Sequence, residues 1–272
     1  MPELPEVEVV KNFLKSTILK KKILEIRIVN KNLRYHIPNN LNKTFSHTII
    51  TKISRRGKYL ILFFSNNFCL LVHLGMTGYF RIKKKKEIIK HDHLFIYFRN
   101  KYLIYNDIRK FGFVKMFKSK QIFNSQHLKK IGVEPLSDNL NYEYFKKNCN
   151  KTIDIKTLLM NQSFIAGLGN IYCSEILYSS RIKPTRISKT INDDEMKRLI
   201  ISIKKILKQS ILRGGTTIKN FIVSDEKIGY FKNELKVYAR VGCECLRCGD
   251  SNYVEKIKQK GRSTFFCSNC QI

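Results

Sequence analysis

The chain has 272 residues, of which 52 are Lys or Arg and 21 are Asp or Glu, giving a formal net charge of +31. Hydrophobic residues make up 43% of it, enough for ordinary globular cores, yet no apolar run approaches the ~18 residues of a membrane span and the start lacks a secretory h-region. These features argue against a membrane or secreted protein and for a cytoplasmic one with a polyanionic partner, DNA or RNA, although heavy use of Lys, Asn and Ile throughout accounts for part of the charge.

In chain order, residues 4–15 are predicted to form a helix, with Val7, Val10 and Leu14 at apolar spacing. Ahead of it stands Met1-Pro2-Glu3-Leu4-Pro5-Glu6. Removal of Met1 exposes Pro2 as a secondary amine, a nucleophile that can attack a sugar or carbonyl carbon and form an iminium. An α-amino group has a reference pKa of about 7.7–8.0, so a useful fraction is unprotonated near neutrality; a lysine needs a large downward shift to match it. Glu3 and Glu6 bracket that amine as acid, base or hydrogen-bond acceptor. The same residues also suit a plain helix start, where Pro and Glu are both favoured.

A strand-rich region follows. Ile23–Ile28 alternates weakly, Tyr59–Phe64 and Phe68–Val72 flank a Ser65-Asn66-Asn67 turn, and His93–Arg99 and Tyr102–Tyr105 form a second hairpin around Asn100-Lys101. This predicts a two-layer antiparallel β unit ending near residue 120. The run Lys83–Lys86 reads as a solvated loop. From residue 121 the pattern turns helical; residues 132–138 read as turn chemistry and an interdomain linker. Asp193–Leu212 is an amphipathic helix with acidic residues at its start and Gly214-Gly215 at its stop. Residues 236–272 form a short last module. The fold class expected is α+β, divided as 1–120, 121–235 and 236–272.

The strongest local signal is Cys245-x-x-Cys248 and Cys267-x-x-Cys270 with eighteen residues between the pairs. Two such knuckles fit one tetrahedral structural Zn²⁺ with no open position, and the gap suits a β-hairpin. Metal binding would supply folding energy that so small a module cannot draw from its own core. Cys243 reads as an extra thiol, although spacing alone leaves Cys243 and Cys245 interchangeable, and Arg262 sits on the hairpin within reach of a phosphate. Cys69, Cys149 and Cys173 read as small hydrophobes in a reducing compartment.

Three weaker constellations remain. Asn161–Tyr172 contains Gly167-Leu-Gly169-Asn170, a turn between helical stretches whose backbone N–H groups can approach a phosphate, with Asn170 and Lys156 adding contacts. His73-Leu-Gly75-Met76-Thr-Gly78 and Asp107-Ile-Arg109-Lys-Phe111-Gly112 place large side chains on Gly-flanked turns. Met76, Arg109 and Phe111 there suit a wedge that fills the hole left by an extruded base; ordinary core packing with a surface Arg is the competing reading. Arg55-Arg56-Gly57-Lys58 puts Lys58 near a turn, suited to a phosphate contact or proton shuttle, and His91 of His91-Asp92-His93 reads as a phosphate contact rather than a metal ligand.

Taken together these residues, from Pro2 to Cys270, resemble bacterial formamidopyrimidine-DNA glycosylases. The resemblance implies an N-terminal β-sandwich led by a helix, a helix–two-turn–helix domain and a zinc finger, with DNA in the cleft between the halves. It implies a monomer acting near the bacterial nucleoid on double-stranded DNA that contains oxidised purines (8-oxoguanine, formamidopyrimidines) or abasic sites. It assigns Pro2, Glu3, Lys58 and Arg262 to catalysis, with excision through a Pro2 Schiff base followed by β,δ-elimination. It assigns His91, Arg109, Lys151, Lys156, Asn170, Met76 and Phe111 to DNA, and Glu6, Thr216 and Thr217 to the substrate, on a loop over Thr216–Phe231 that closes on the flipped base. The chain departs from the family pattern at Ile108, where Pro is common, at Lys110, where Arg is common, and at Asn161 and Cys173. A pyrimidine-directed sister enzyme resembling endonuclease VIII, and a DNA-binding protein without catalysis, are the rival readings.

Overall fold

Helix α1 (Leu4–Ile18) forms because Leu4, Val7, Val10, Leu14 and Ile18, all fully buried, repeat at three- and four-residue spacing along one face. The structure, a computed structural model, describes residues 2–216 and 231–272. The helix runs three residues past the predicted end, because Ile18 still faces the core; Leu19 then leaves the helix with ψ 141°, and Lys20 follows at a left-handed φ of 59°. A short helix α2 (Leu41–Phe45) and two sheets complete this part of the chain.

The first sheet runs β2 (Ile50–Arg56), β3 (Tyr59–Phe64), β4 (Phe68–His73), β8 (Phe113–Lys118), and the second runs β1 (Glu25–Ile28), β6 (Asp92–Phe98), β7 (Lys101–Asn106), β5 (Tyr79–Lys83). All neighbours are antiparallel. Leu60, Leu62, Leu70, Val72 and Val114 of the first sheet share a core with Ile26, Leu94, Ile96 and Leu103 of the second, so the expected two-layer unit is a sandwich. Helix α1 packs on β2 and β3. Asn67 at φ 63° makes the turn between β3 and β4. In the second hairpin Phe98 pairs with Lys101, so the turn is Arg99-Asn100, one residue earlier than predicted. Of the run read as a solvated loop, Lys84–Lys86 is exposed, but Lys83 is the half-buried last residue of β5, paired with Tyr102.

The chain divides into two compact units, 1–129 with 213–230 and 130–212 with 231–272. The second holds α3 (Tyr142–Cys149), α4 (Ile155–Met160), α5 (Asn170–Ser180) and α6 (Asp193–Leu212). Helix α5 is buried on every side, against α4, α6 and strand β12 (Arg262–Phe266). Residues 132–138 were expected to form a linker, but the segment is packed into this unit. Gly132 donates to the Gln162 carbonyl, Ala166 donates to that of Val133, and a Cβ on Gly132 would lie 2.1 Å from the Phe164 carbonyl oxygen. Strands β9 (Glu244–Cys245), β10 (Gly249–Tyr253) and β11 (Glu255–Gln259) complete two small hairpins, β9 with β10 and β11 with β12. No described helix is long and apolar enough to cross a membrane.

Candidate active site and nucleic-acid interface

Pro2 is buried at the head of α1. Glu3 and Glu6, each 2% exposed, make a reciprocal capping box, in which the Glu3 N–H donates to Glu6 Oε2 at 2.9 Å. The other Glu6 oxygen accepts from the Thr216 N–H at 2.8 Å and its hydroxyl at 2.9 Å. This second contact requires Gly215, whose φ is +80° and on which a Cβ would stand 3.0 Å from Glu6 Oε1. Glu6 and Thr216, both read from the sequence as substrate contacts, are thus joined to each other. Thr217 and almost all of the expected closing loop, Gly229 included, lie outside the described residues.

Lys58, 8% exposed, sits on the tight turn between β2 and β3, with Gly57 at φ 54°. Arg55 ties this turn to α1. Its Nε meets Glu8 Oε2 at 2.7 Å and its Nη1 donates to the Gly57 carbonyl. Burial raises the Glu8 pKa, but Lys11 and Arg55 outweigh it and hold the carboxylate below its usual range. His73 faces the start of β3 across the register Tyr59–His73. Burial first, then the charges of Lys58 and Arg34, push its imidazole down to about 4. Its Nδ1 accepts from the Gly75 N–H at 3.1 Å, which leaves the ring neutral with its proton on Nε2.

The proposed wedge residues lie on two turns that touch. Met76, partly exposed, follows β4, whereas Arg109 and Phe111, both exposed, lie between β7 and β8, with the guanidinium 4.8 Å over the Phe111 ring. His91, at φ 71°, precedes β6. Its neighbours are not metal ligands. Asp92 is paired with the buried Arg81, and His93 bridges the carbonyls of Asn30 and Asp107 at 3.0 Å each.

In the second unit Lys151 and Arg262 are exposed. Lys156 departs from the sequence reading, which expected it to present its charge. It is 2% exposed, because its Nζ donates to Asn170 Oδ1 at 2.7 Å and Thr264 Oγ1 at 2.6 Å. Asn170 in turn donates to the Ser263 carbonyl at 2.8 Å. The pair therefore sets the start of α5 against the strand that bears Arg262.

Cys245, Cys248, Cys267 and Cys270 place their sulfurs within 4.8 Å of one another, with Cys245–Cys270 and Cys248–Cys267 both at 3.8 Å. A zinc–sulfur bond of about 2.3 Å in a tetrahedron needs sulfurs roughly 3.8 Å apart, so the donors fit zinc. Cys243 is exposed and outside the cluster. Gln271, fully buried, accepts from the Cys267 N–H at 2.9 Å and steadies the second knuckle.

Residues 1–114 match the model of the formamidopyrimidine-DNA glycosylase N-terminal domain, 131–222 that of the H2TH domain of the same enzymes, and 243–272 a zinc finger found in FPG and IleRS. The chain belongs to the formamidopyrimidine-DNA glycosylase family. It is 44% identical over 273 residues to the formamidopyrimidine-DNA glycosylase of Rickettsia bellii, covering 100% of this chain and 99% of that one. The Rickettsia felis protein of the same name is also 44% identical, over 98% of its length. Among solved structures, a Lactococcus lactis FPG mutant bound to Fapy-dG-containing DNA superposes with a TM-score of 0.92 at 37% identity, over 99% of each chain. So does the Lactococcus lactis Fpg bound to abasic-site DNA, with the same values. The protein is thus an enzyme of the DNA glycosylase and abasic-site lyase class with one structural zinc, held by the four cysteines.

Two buried charged features that sequence reasoning left without a role stand out in this family member. Glu175, 4% exposed, accepts from the N–H groups of Lys236, Val237 and Tyr238 at 2.9, 3.0 and 2.8 Å. Arg81 and Asp92 form a buried ion pair across the second sheet. A charged residue inside an apolar stretch was the available signal for both.

Proposed function

We propose that this glycosylase excises oxidised purines, 8-oxoguanine and formamidopyrimidines, from duplex DNA and then cuts the strand, working in the bacterial cytoplasm as a monomer. Once Met1 is removed, the Pro2 nitrogen attacks C1′ of the damaged nucleoside. The bond to the base breaks and the nitrogen sheds its proton; Glu3 then protonates O4′ as the C1′–O4′ bond opens, and the opened sugar is left as an iminium between C1′ and the nitrogen. Loss of a proton from C2′ then expels the 3′ oxygen, and a second elimination expels the 5′ oxygen. Lys58, on the turn that Arg55 ties to α1, would serve these proton transfers, and Arg262 would contribute to the second elimination.

DNA would be held by His91, Arg109, Lys151 and Asn170, with Lys156 holding Asn170 in place and Met76, Arg109 and Phe111 filling the vacated stack. Glu6, Thr216 and Thr217 would contact the extruded base. Domains at 1–120, 121–235 and 236–272 supply these parts.

The observation that carries the reading is the buried Pro2-Glu3-Glu6 head of α1, clamped to Thr216 from 210 residues away. It favours a preorganised N-terminus over a frayed helix end. The test is borohydride trapping on a duplex with 8-oxoguanine opposite cytosine, with Pro2→Gly and a Met1-retaining form alongside. A trapped adduct only from the processed parent supports the reading. Trapping solely on oxidised pyrimidines would transfer the protein to the sister specificity, and no adduct on any lesion would overturn the iminium.

A further inference from the structure

The turns bearing Met76 and Arg109–Phe111 are joined by one side-chain pair. Asp107, fully buried at the end of β7, accepts from the Thr77 hydroxyl at 2.5 Å through Oδ1 and from the Gly112 N–H at 2.8 Å through Oδ2. The same Thr77 oxygen accepts from the Arg109 N–H at 3.0 Å. Thr77 is 4% exposed, so neither partner is replaced by bulk water. One carboxylate therefore closes the 107–112 turn on itself, and one hydroxyl fastens that turn to the residue after Met76.

The backbones meet as closely as the side chains do. A Cβ on Gly75 would stand 2.4 Å from the Gly112 nitrogen, and one on Gly112 would stand 2.0 Å from the Tyr105 hydroxyl. The main chain of Asp107 reaches a fourth candidate DNA contact, His91. Its N–H donates to the His91 carbonyl at 3.1 Å, and its own carbonyl meets His93 Nε2 at 3.0 Å. Met76, Arg109, Phe111 and His91 thus hang from one buried residue and its hydroxyl partner.

We infer that Thr77 and Asp107 are positioning residues, a latch that makes the two wedge turns insert into DNA as a single rigid piece. The inference rests on the proposed wedge role of Met76, Arg109 and Phe111. A wedge must hold its shape while it displaces a stacked base, and a loose one gives back part of the work as its own motion. Ile108, between Asp107 and Arg109, is exposed and has no ring to fix its φ, so the rigidity of this turn comes from the Asp107 carboxylate and the Thr77 hydroxyl.

The experiment compares the parent, Thr77→Val and Thr77→Ser in single turnover on two substrates. One is 8-oxoguanine in a duplex, which needs extrusion; the other is a preformed abasic site in single-stranded DNA, which does not. Thr77→Val keeps the branched shape but loses both hydrogen bonds, one of them to a carboxylate, so duplex excision should slow by about tenfold or more while single-strand cleavage stays within about twofold. Thr77→Ser should restore most of the duplex rate. A 2-aminopurine placed opposite the lesion should show a matching loss of unstacking with Thr77→Val alone. Equal losses on both substrates, or no loss on either, would overturn the latch. Parent protein that cleaves neither substrate would instead sink the functional reading beneath it.

Discussion

Replacing Glu175 by Gln should destabilise the second unit by roughly 2–4 kcal/mol, because one carboxylate there organises three consecutive backbone N–H groups. Oε1 takes Val237 and Tyr238, and Oε2 takes Lys236. Glutamine keeps a single acceptor oxygen. If that oxygen holds the Val237–Tyr238 side, an amide N–H points at the Lys236 N–H, one charge-assisted bond worth ~1.5–3 kcal/mol is lost and the other two weaken. An opposing gain comes from no longer burying a charge. Desolvation raises the Glu175 pKa despite the three donors that lower it, so the native state bears part of that cost already. The lost bond and the facing donors outweigh this relief, since the contact is buried at Val237 and part-buried at Lys236 and Tyr238. The assay is thermal unfolding of the full zinc-loaded chain, where this loss should appear as a fall in Tm of roughly 5–12 °C. Zinc release to a chromogenic chelator should quicken in parallel, because residues 236–238 lead into the finger and Val237 lies in its core. A Tm within about 1 °C of the parent, with unchanged zinc release, would refute the assignment of Glu175 as the anchor.

Two further outcomes are expected. His73 has a folded pKa of about 4 against an unfolded value of ~6.5, so the unfolded chain takes up a proton first as the pH falls. Its contribution to stability is complete above about pH 6.5, declines between there and about 4, and amounts to roughly 2–3 kcal/mol; His73→Asn should flatten the fall in urea midpoint over that window, and an unchanged slope would refute the shift. Cys270→Ser should lose zinc by elemental analysis and unfold the 243–272 hairpins by circular dichroism, because their core holds little beyond Tyr178, Val237, Val254 and Phe265. Cys243→Ser should keep a full zinc complement; zinc loss there would place Cys243 among the ligands.

Much of this architecture was legible because its signals are local. The Ser65-Asn66-Asn67 turn, the apolar face of Asp193–Leu212 and the two Cys-x-x-Cys knuckles each declare themselves within a few residues, and the structure places all three as read. Pairings across the chain were not legible. Nothing near Lys156 signals that Thr264, 108 residues on, will draw its ammonium inside, so a lysine on a helix reads as a surface cation. Likewise Asp92 sits between two histidines and invites a ligand reading until Arg81 is seen to neutralise it. The second sheet hid its order, β1-β6-β7-β5, because β1 has only four residues and gains its place from the edge of β6. Asp107 and Thr77 were each within sight as motif neighbours, yet their function lies in meeting each other 30 residues apart.

The clamp between Glu6 and Thr216 has a consequence for synthesis. At about 5–20 residues per second, the ribosome delivers Thr216 roughly ten to forty seconds after Glu6. During that interval the head of α1 has its capping box but not its distal partner, and the intervening helices α3 to α6 are made first. The compact unit that contains the β-sandwich is therefore not complete until the segment after α6 has been made. The head of α1 is made well before Thr216 and is among the last parts of this unit to be locked.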